Sequence, residues 1–188
     1  MYQAKFVRTP LDPAVAAELH CGDIVMLTGE LLTMRDAAHM RYVAALESGQ
    51  EPPVDLRGQV VYYAGPTPAR PGHVIGSCGP TTSGRMDAFT PKLLKEAGLA
   101  GTIGKGPRSP QVVQAMVDAG AVYFAAIGGA AALIAQTIEA CDVVAYDDLG
   151  PEAIRRLEVR DYPCVVAIDA QGASIYEHGP RDWRIPVD

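Results

Sequence analysis

The chain has 188 residues, 48% of them hydrophobic and 20% charged, which suits one sizeable core in a single domain spanning 1–188. Its formal net charge of −6, without any run of basic residues, argues against a nucleic-acid-binding surface. No apolar stretch reaches the roughly 20 residues that cross a bilayer, and residues 1–10 carry Lys5 and Arg8 without a following apolar block, so the expected location is the cytoplasm and no membrane partner is expected.

In chain order, the first twenty residues read as irregular, with Pro10 and Pro13 bracketing Leu11. Residues 23–29 then read as a buried strand. A helix is expected after Thr33, which with Asp36 resembles a capping box, and Gly49 can close it. That places Arg35 in a first helical turn, where a cation is unfavourable against the helix dipole unless an anion joins it; either a bound anion or a pairing with Asp36 meets the need. His39 lies one turn further along the same face, where it can support a ligand site or pack.

Glu51-Pro52-Pro53 makes a rigid connection to a second strand over 59–65, and residues 66–72, rich in proline, form a loop that can face a partner. A short strand is expected over 73–77. After Gly79 to Asp87, a helix over 91–97 has Thr90 as cap, Pro91 at its first position and Gly98 as terminator. From residue 101 onward the pattern alternates. A helix starts at Ser109-Pro110 and ends at Gly120, a strand covers 121–127, a helix 129–140 and a strand 142–146. This alternation implies parallel βαβ units in the second half of an α/β fold. A helical turn or two over 151–157, a strand over 164–169, a hairpin turn at Ala170-Gln171-Gly172 and a surface tail over 178–188 complete the reading.

Two stretches concentrate polar chemistry. In Gly79-Pro80-Thr81-Thr82-Ser83-Gly84-Arg85-Met86-Asp87, glycines bare the backbone, hydroxyls supply donors and Arg85 offers a planar fork for a carboxylate. In Gly104-Lys105-Gly106 an ammonium stands between bare backbone neighbours. The second stretch is not a P-loop, because Leu99 stands where that motif needs glycine and Gly106 where it needs serine or threonine. Gly128-Gly129 lacks the dinucleotide spacing. The four cysteines, Cys21, Cys78, Cys141 and Cys164, are far apart and contain no C-x-x-C pair, so neither a zinc ribbon nor a redox pair is indicated and no metal ligand is assigned to this chain. Cys78, Cys141 and Cys164 are expected to be structural.

Taken with Thr33-Met34-Arg35-Asp36-Ala37-Ala38-His39, Gly128-Gly129-Ala130-Ala131 and Leu149-Gly150-Pro151-Glu152-Ala153, these stretches closely resemble the C-terminal domain of class I, iron–sulfur-dependent fumarases and the beta subunit of L(+)-tartrate dehydratase, over about 22–179. The resemblance implies a swivelling β/β/α domain of the iron–sulfur hydro-lyase type, working with an alpha subunit that carries a 4Fe-4S cluster, commonly as alpha2beta2. It implies reversible removal of water from a hydroxylated C4 dicarboxylate, fumarate with L-malate first and tartrate dehydration next. Arg35, Arg85, Lys105 and Thr82 would bind substrate, Thr81 would take part in proton transfer, and His39 and Asp87 would support them. A stand-alone anion-binding or assembly module of the same fold is the rival reading.

Overall fold

A computed structural model of the chain describes residues 3–182 and 184–185. Seven strands form the sheet: β1 (Lys5–Thr9), β2 (Ile24–Thr33), β3 (Val60–Tyr62), β4 (Gly101–Gly104), β5 (Val122–Ala125), β6 (Ile138–Ala145) and β7 (Ile154–Ile168). The helices are α1 (Pro13–Ala17), α2 (Asp36–Glu47), α3 (Thr90–Glu96), α4 (Pro110–Ala119), α5 (Ala131–Ile134) and α6 (Ile175–Asp182). No helix among the described residues is long and apolar enough to cross a membrane.

Strands β1 to β5 pair in parallel in chain order, while β7 runs antiparallel to β5, β6 and β2. Because β7 pairs with both β2 and β5, the pairings β2–β3–β4–β5–β7–β2 return on themselves. Five strands therefore make a closed ring, and β1 and β6 extend from it. The two long strands bend together to allow this. The register between β2 and β7 shifts between Leu27 and Gly29, where Gly29 has φ +125°, and opposite them Asp161 adopts φ 52° while its N–H donates to Thr28 Oγ1 at 3.0 Å.

Alternation along each strand divides the core. Val60 and Tyr62 join Val25, Leu27, Ile103, Phe124 and Val166 in a cluster drawn from all five ring strands. Val61 and Tyr63 face the other way, onto Ala38 and Tyr42 of α2, Leu93 of α3 and Val112 and Met116 of α4. Both faces of β3 are buried, which is why its sequence shows no polar alternation.

The helix from Ser109 to Gly120 forms as its sequence dictates: Ser109 caps it through a bond from the Val112 N–H, and Gly120 closes it in the left-handed region at φ 65°. Elsewhere pairing overrides local signals. Residues 5–9 and 13–17, expected to be irregular, form β1 and α1. Thr33 is no cap: it ends β2, and its buried hydroxyl accepts the Arg155 N–H at 3.1 Å while α2 begins at Asp36. Residues 73–77 form no strand, since the Thr67 N–H is taken by Ser77 O and the segment folds back on the proline-rich loop. The alanine-rich helix expected over 129–140 stops at Thr137, because from Ile138 the chain pairs with β7. Likewise 151–157 enters β7, so βαβ units account for β3, β4 and β5 while β6 and β7 are antiparallel. The turn at 170–172 leads to one bridge, Ile168 to Ser174, and then to α6 instead of a hairpin strand. Trp183 and 186–188 of the expected tail lie outside the described residues.

A Cβ at Gly29 would overlap Thr9 O and stand 3.0 Å from Thr9 Oγ1, in a conformation that L side chains rarely adopt. Gly29→Ala is expected to lower stability by roughly 2 kcal/mol or more, measured by urea denaturation; an unchanged midpoint would contradict the bent-strand account.

Candidate active site

Because β2, β3, β4 and β5 are parallel, their C-terminal ends arrive at one edge of the sheet. Arg35 follows β2, Gly65 follows β3, Lys105 follows β4 and Gly128 follows β5. The stretch from Gly79 to Asp87 is laid across the same edge. The Thr81 N–H donates to Tyr63 O at 2.7 Å, Thr81 O accepts from the Lys105 N–H at 3.2 Å, and the Ser83 N–H donates to Lys105 O at 2.8 Å. Thr82 and Lys105 form an isolated parallel bridge, so the hydroxyl-rich bend and the glycine-flanked lysine are one structural unit. Gly104 is required there, since a Cβ would overlap Ser83 Oγ, itself bonded to Tyr123 Oη at 2.9 Å.

The two arginines meet on one carboxylate. Arg85 donates through Nε and Nη2 to the two oxygens of Asp36 at 3.0 and 2.9 Å, and Arg35 Nε stands 3.7 Å from Asp36 Oδ2. Arg85 has half of its side chain exposed, leaving its remaining N–H groups open to a second carboxylate. Arg35 is held more tightly: its Nη2 is 3.6 Å from Glu152 Oε1, and a Cβ on Gly65 would stand 2.8 Å from Nη1. Its Nε is buried without a hydrogen-bond partner. Glu152 also accepts the Ala37 N–H at 2.8 Å, tying the start of α2 to the 310 turn over Asp147–Glu152. Lys105 enters no ion pair among the described residues, and Gly128 leaves it room, with a Cβ there falling 3.6 Å from Lys105 Cδ. Arg35, Arg85 and Lys105 therefore share one edge with Thr81 and the exposed Thr82, an arrangement able to hold a small molecule with two negative ends.

The layer beneath is fixed by buried polar groups. His39 is fully buried; its Nδ1 donates to Arg35 O at 2.8 Å, its ring packs edge-on to Tyr63 at 5.3 Å, and its Nε2 has no partner. Burial lowers its pKa from 6.5 to about 4, so the imidazole is neutral and serves as a prop for Arg35. Asp87 faces away from the arginine pair. It accepts from Arg108 Nε at 2.7 Å and from the Ser109 N–H at 2.6 Å. Arg108, with no exposed side-chain surface, also donates to Thr90 Oγ1 at 2.8 Å and Thr102 Oγ1 at 3.2 Å and lies over the rings of Tyr63 and Tyr123. Burial disfavours its charge, but Tyr63 and Asp87 outweigh that and hold its pKa above the ordinary value. Sequence reasoning named Asp36 as a pairing partner for Arg35 but not for Arg85, quoted Glu152 only within a stretch carrying the resemblance, and missed Arg108, which nothing local marks.

The cysteines do not converge on this edge. All four are free thiols, Cys78 and Cys164 buried, and burial pushes the Cys78 thiol up to about 12. Among the described residues no group of three His, Cys, Asp or Glu side chains could hold a metal ion.

The family model described as Fumarase C-terminus matches residues 6–179. The chain belongs to the fumarase C-terminal family. Within that family it is 40% identical over 165 residues to a Methanocaldococcus jannaschii protein provisionally named L(+)-tartrate dehydratase subunit beta, covering 85% of each. It is also 39% identical over 152 residues to the anaerobic class I fumarate hydratase of Escherichia coli and 35% identical over 175 residues to a class I fumarate hydratase assigned in Geobacillus stearothermophilus. This chain spans 28% and 33% of those two enzymes, against 80% and 91% of its own length. The fumarase C-terminal match takes in Arg35, the Gly79–Asp87 bend and Lys105 together.

Two outcomes test the supporting layer. Between pH 6.5 and about 4 the unfolded chain protonates His39 while the folded chain does not, so its contribution is full above 6.5 and is lost as pH falls toward 4. His39→Gln should flatten that part of the stability–pH curve by on the order of 3 kcal/mol, whereas parallel curves for the two proteins would show that His39 is not buried neutral. Asp87→Ala, which strands the buried Arg108, should cost about 3–5 kcal/mol in urea denaturation; a loss below ~1 kcal/mol would refute the anchoring role.

Proposed function

We propose that this chain is the single-domain beta subunit of a cytoplasmic, two-chain hydro-lyase, swivelling onto a partner alpha subunit that carries a 4Fe-4S cluster, with alpha2beta2 as the assembly. The reaction is reversible removal of water from a hydroxylated C4 dicarboxylate. What supports this most directly is the meeting of Arg35, Arg85 and Lys105 at the C-terminal edge of four parallel strands, in a chain whose net charge is −6. Three cations set among glycines and hydroxyls can grip both ends of a C4 dicarboxylate, and parallel strand ends deliver them to one edge.

In this reading Arg35 and Arg85 grip one end of the substrate, Lys105 and the Thr82 hydroxyl the other, and Asp36 holds the two guanidinium groups in register. Thr81 takes part in proton transfer beside a carboxylate, assisted by a carboxylate of the partner, since a threonine hydroxyl alone is a poor base. Its backbone is pinned on both sides by Tyr63 and Lys105, which suits a group that must be placed accurately. The cluster belongs to the partner, because the cysteines here are scattered.

Fumarate and L-malate are the first substrate pair. Tartrate dehydration is the second, favoured by the Methanocaldococcus jannaschii relative, a separate chain of matching extent. Co-expression with a cluster-bearing partner should give dehydratase activity that oxygen destroys. In that complex Arg85→Ala or Lys105→Ala should lower kcat/KM at least ~10²-fold, and full activity in either variant would remove the clamp assignment.

A further inference from the structure

A second cation stands apart from the clamp and has a cavity of its own. Arg155, at the start of β7, donates from Nη2 to Gly150 O at 3.1 Å, yet its Nε is buried with no hydrogen-bond partner and it forms no ion pair among the described residues. Its neighbour Arg156, by contrast, pairs with Glu30 at 2.8 Å. Arg155 lines a hollow of about 280 Å³ whose other walls include Pro66, Thr67, Val74, Ile75, Pro151 and the half-buried Cys141. Arg35 is not part of this hollow; it lies across the Gly150–Pro151 bend, against Gly65.

A guanidinium with an unfilled buried donor is costly to leave so, and the group that satisfies it best is a carboxylate. The remaining walls are mostly aliphatic, apart from the Thr67 hydroxyl and the Cys141 thiol beside the guanidinium. One cation admits one negative charge, and the apolar walls admit a short hydrocarbon stem. We propose that Arg155 heads a second carboxylate pocket, distinct from the Arg35–Arg85–Lys105 edge, which takes a single carboxylate on a short aliphatic stem. That chemistry is shared by a free short-chain carboxylic acid and by an acidic side chain of the partner subunit. The proposal does not rest on the assigned reaction, because it needs neither the clamp nor catalysis.

Butyrate is the probe. Titrated into the ¹⁵N-labelled full chain, it should shift the Arg155 Nε–H resonance saturably, with a millimolar Kd appropriate to one ion pair and a few apolar contacts. Butyramide, equal in shape but uncharged, should not. The response should persist in Arg85→Ala and vanish in Arg155→Gln. Arg155→Lys, which keeps the charge and loses the planar fork, should weaken binding at least ~5-fold and carries the test should the glutamine variant fail to fold. The complex with the partner subunit separates the two sources: continued butyrate binding identifies a free acid as occupant, while a resonance already displaced and insensitive to butyrate, with the assembly weakened in Arg155→Lys, identifies a partner side chain. No shift in the isolated chain, an equal shift with butyramide, or an undiminished response in Arg155→Gln would overturn the proposal.

Discussion

Parallel strand direction is the constraint from which the site follows. Four strands that run the same way deliver their last residues to one edge, and Arg35, Gly65, Lys105 and Gly128 each follow such an end. Had β4 run antiparallel to β2, Lys105 would leave the sheet at the edge opposite Arg35. The ring closure through β7 then brings Glu152 against Arg35 and the start of α2, so the early helix is located from both ends of the chain.

Electrostatics does the rest at short range. Like charges placed together repel, and the fold offsets this by inserting Asp36 between Arg35 and Arg85 and by filling the layer below with neutral or fully paired groups. His39 is kept uncharged by burial, and Arg108 is enclosed by Asp87, hydroxyls and rings. The Fumarase C-terminus match over residues 6–179 takes in the edge at the strand ends with the rest of the fold.

Legibility in the sequence followed the range of the interactions. Where a signal is local, it sufficed: the Ser109 cap and Gly120 closure of α4 depend on residues within a turn of each other. Arg85 and Lys105 stood out as candidates because glycines and hydroxyls crowd beside them, although two of those neighbours also serve packing, Gly104 leaving room for the buried Ser83 hydroxyl and Ser83 bonding Tyr123. What escaped was non-local. Ile138-Glu139-Ala140 continue an alanine-rich stretch but pair with β7, and Thr33 has the chemistry of a cap but ends a strand because Arg155 and Ala153 take its hydroxyl. Arg108 and Glu152 have most of their partners far along the chain, Asp87 at 21 residues, Tyr63 at 45 and Ala37 at 115, and no short window contains both sides of those contacts.

The central claim is that one doubly charged molecule is held jointly by the three cations at the strand ends. Its most direct test is a crystal structure of the chain assembled with its cluster-bearing partner and a bound C4 dicarboxylate. The account predicts both carboxylates within hydrogen-bonding distance of the set formed by Arg35, Arg85 and Lys105. A ligand whose carboxylates touch none of these side chains, or only one, would contradict it.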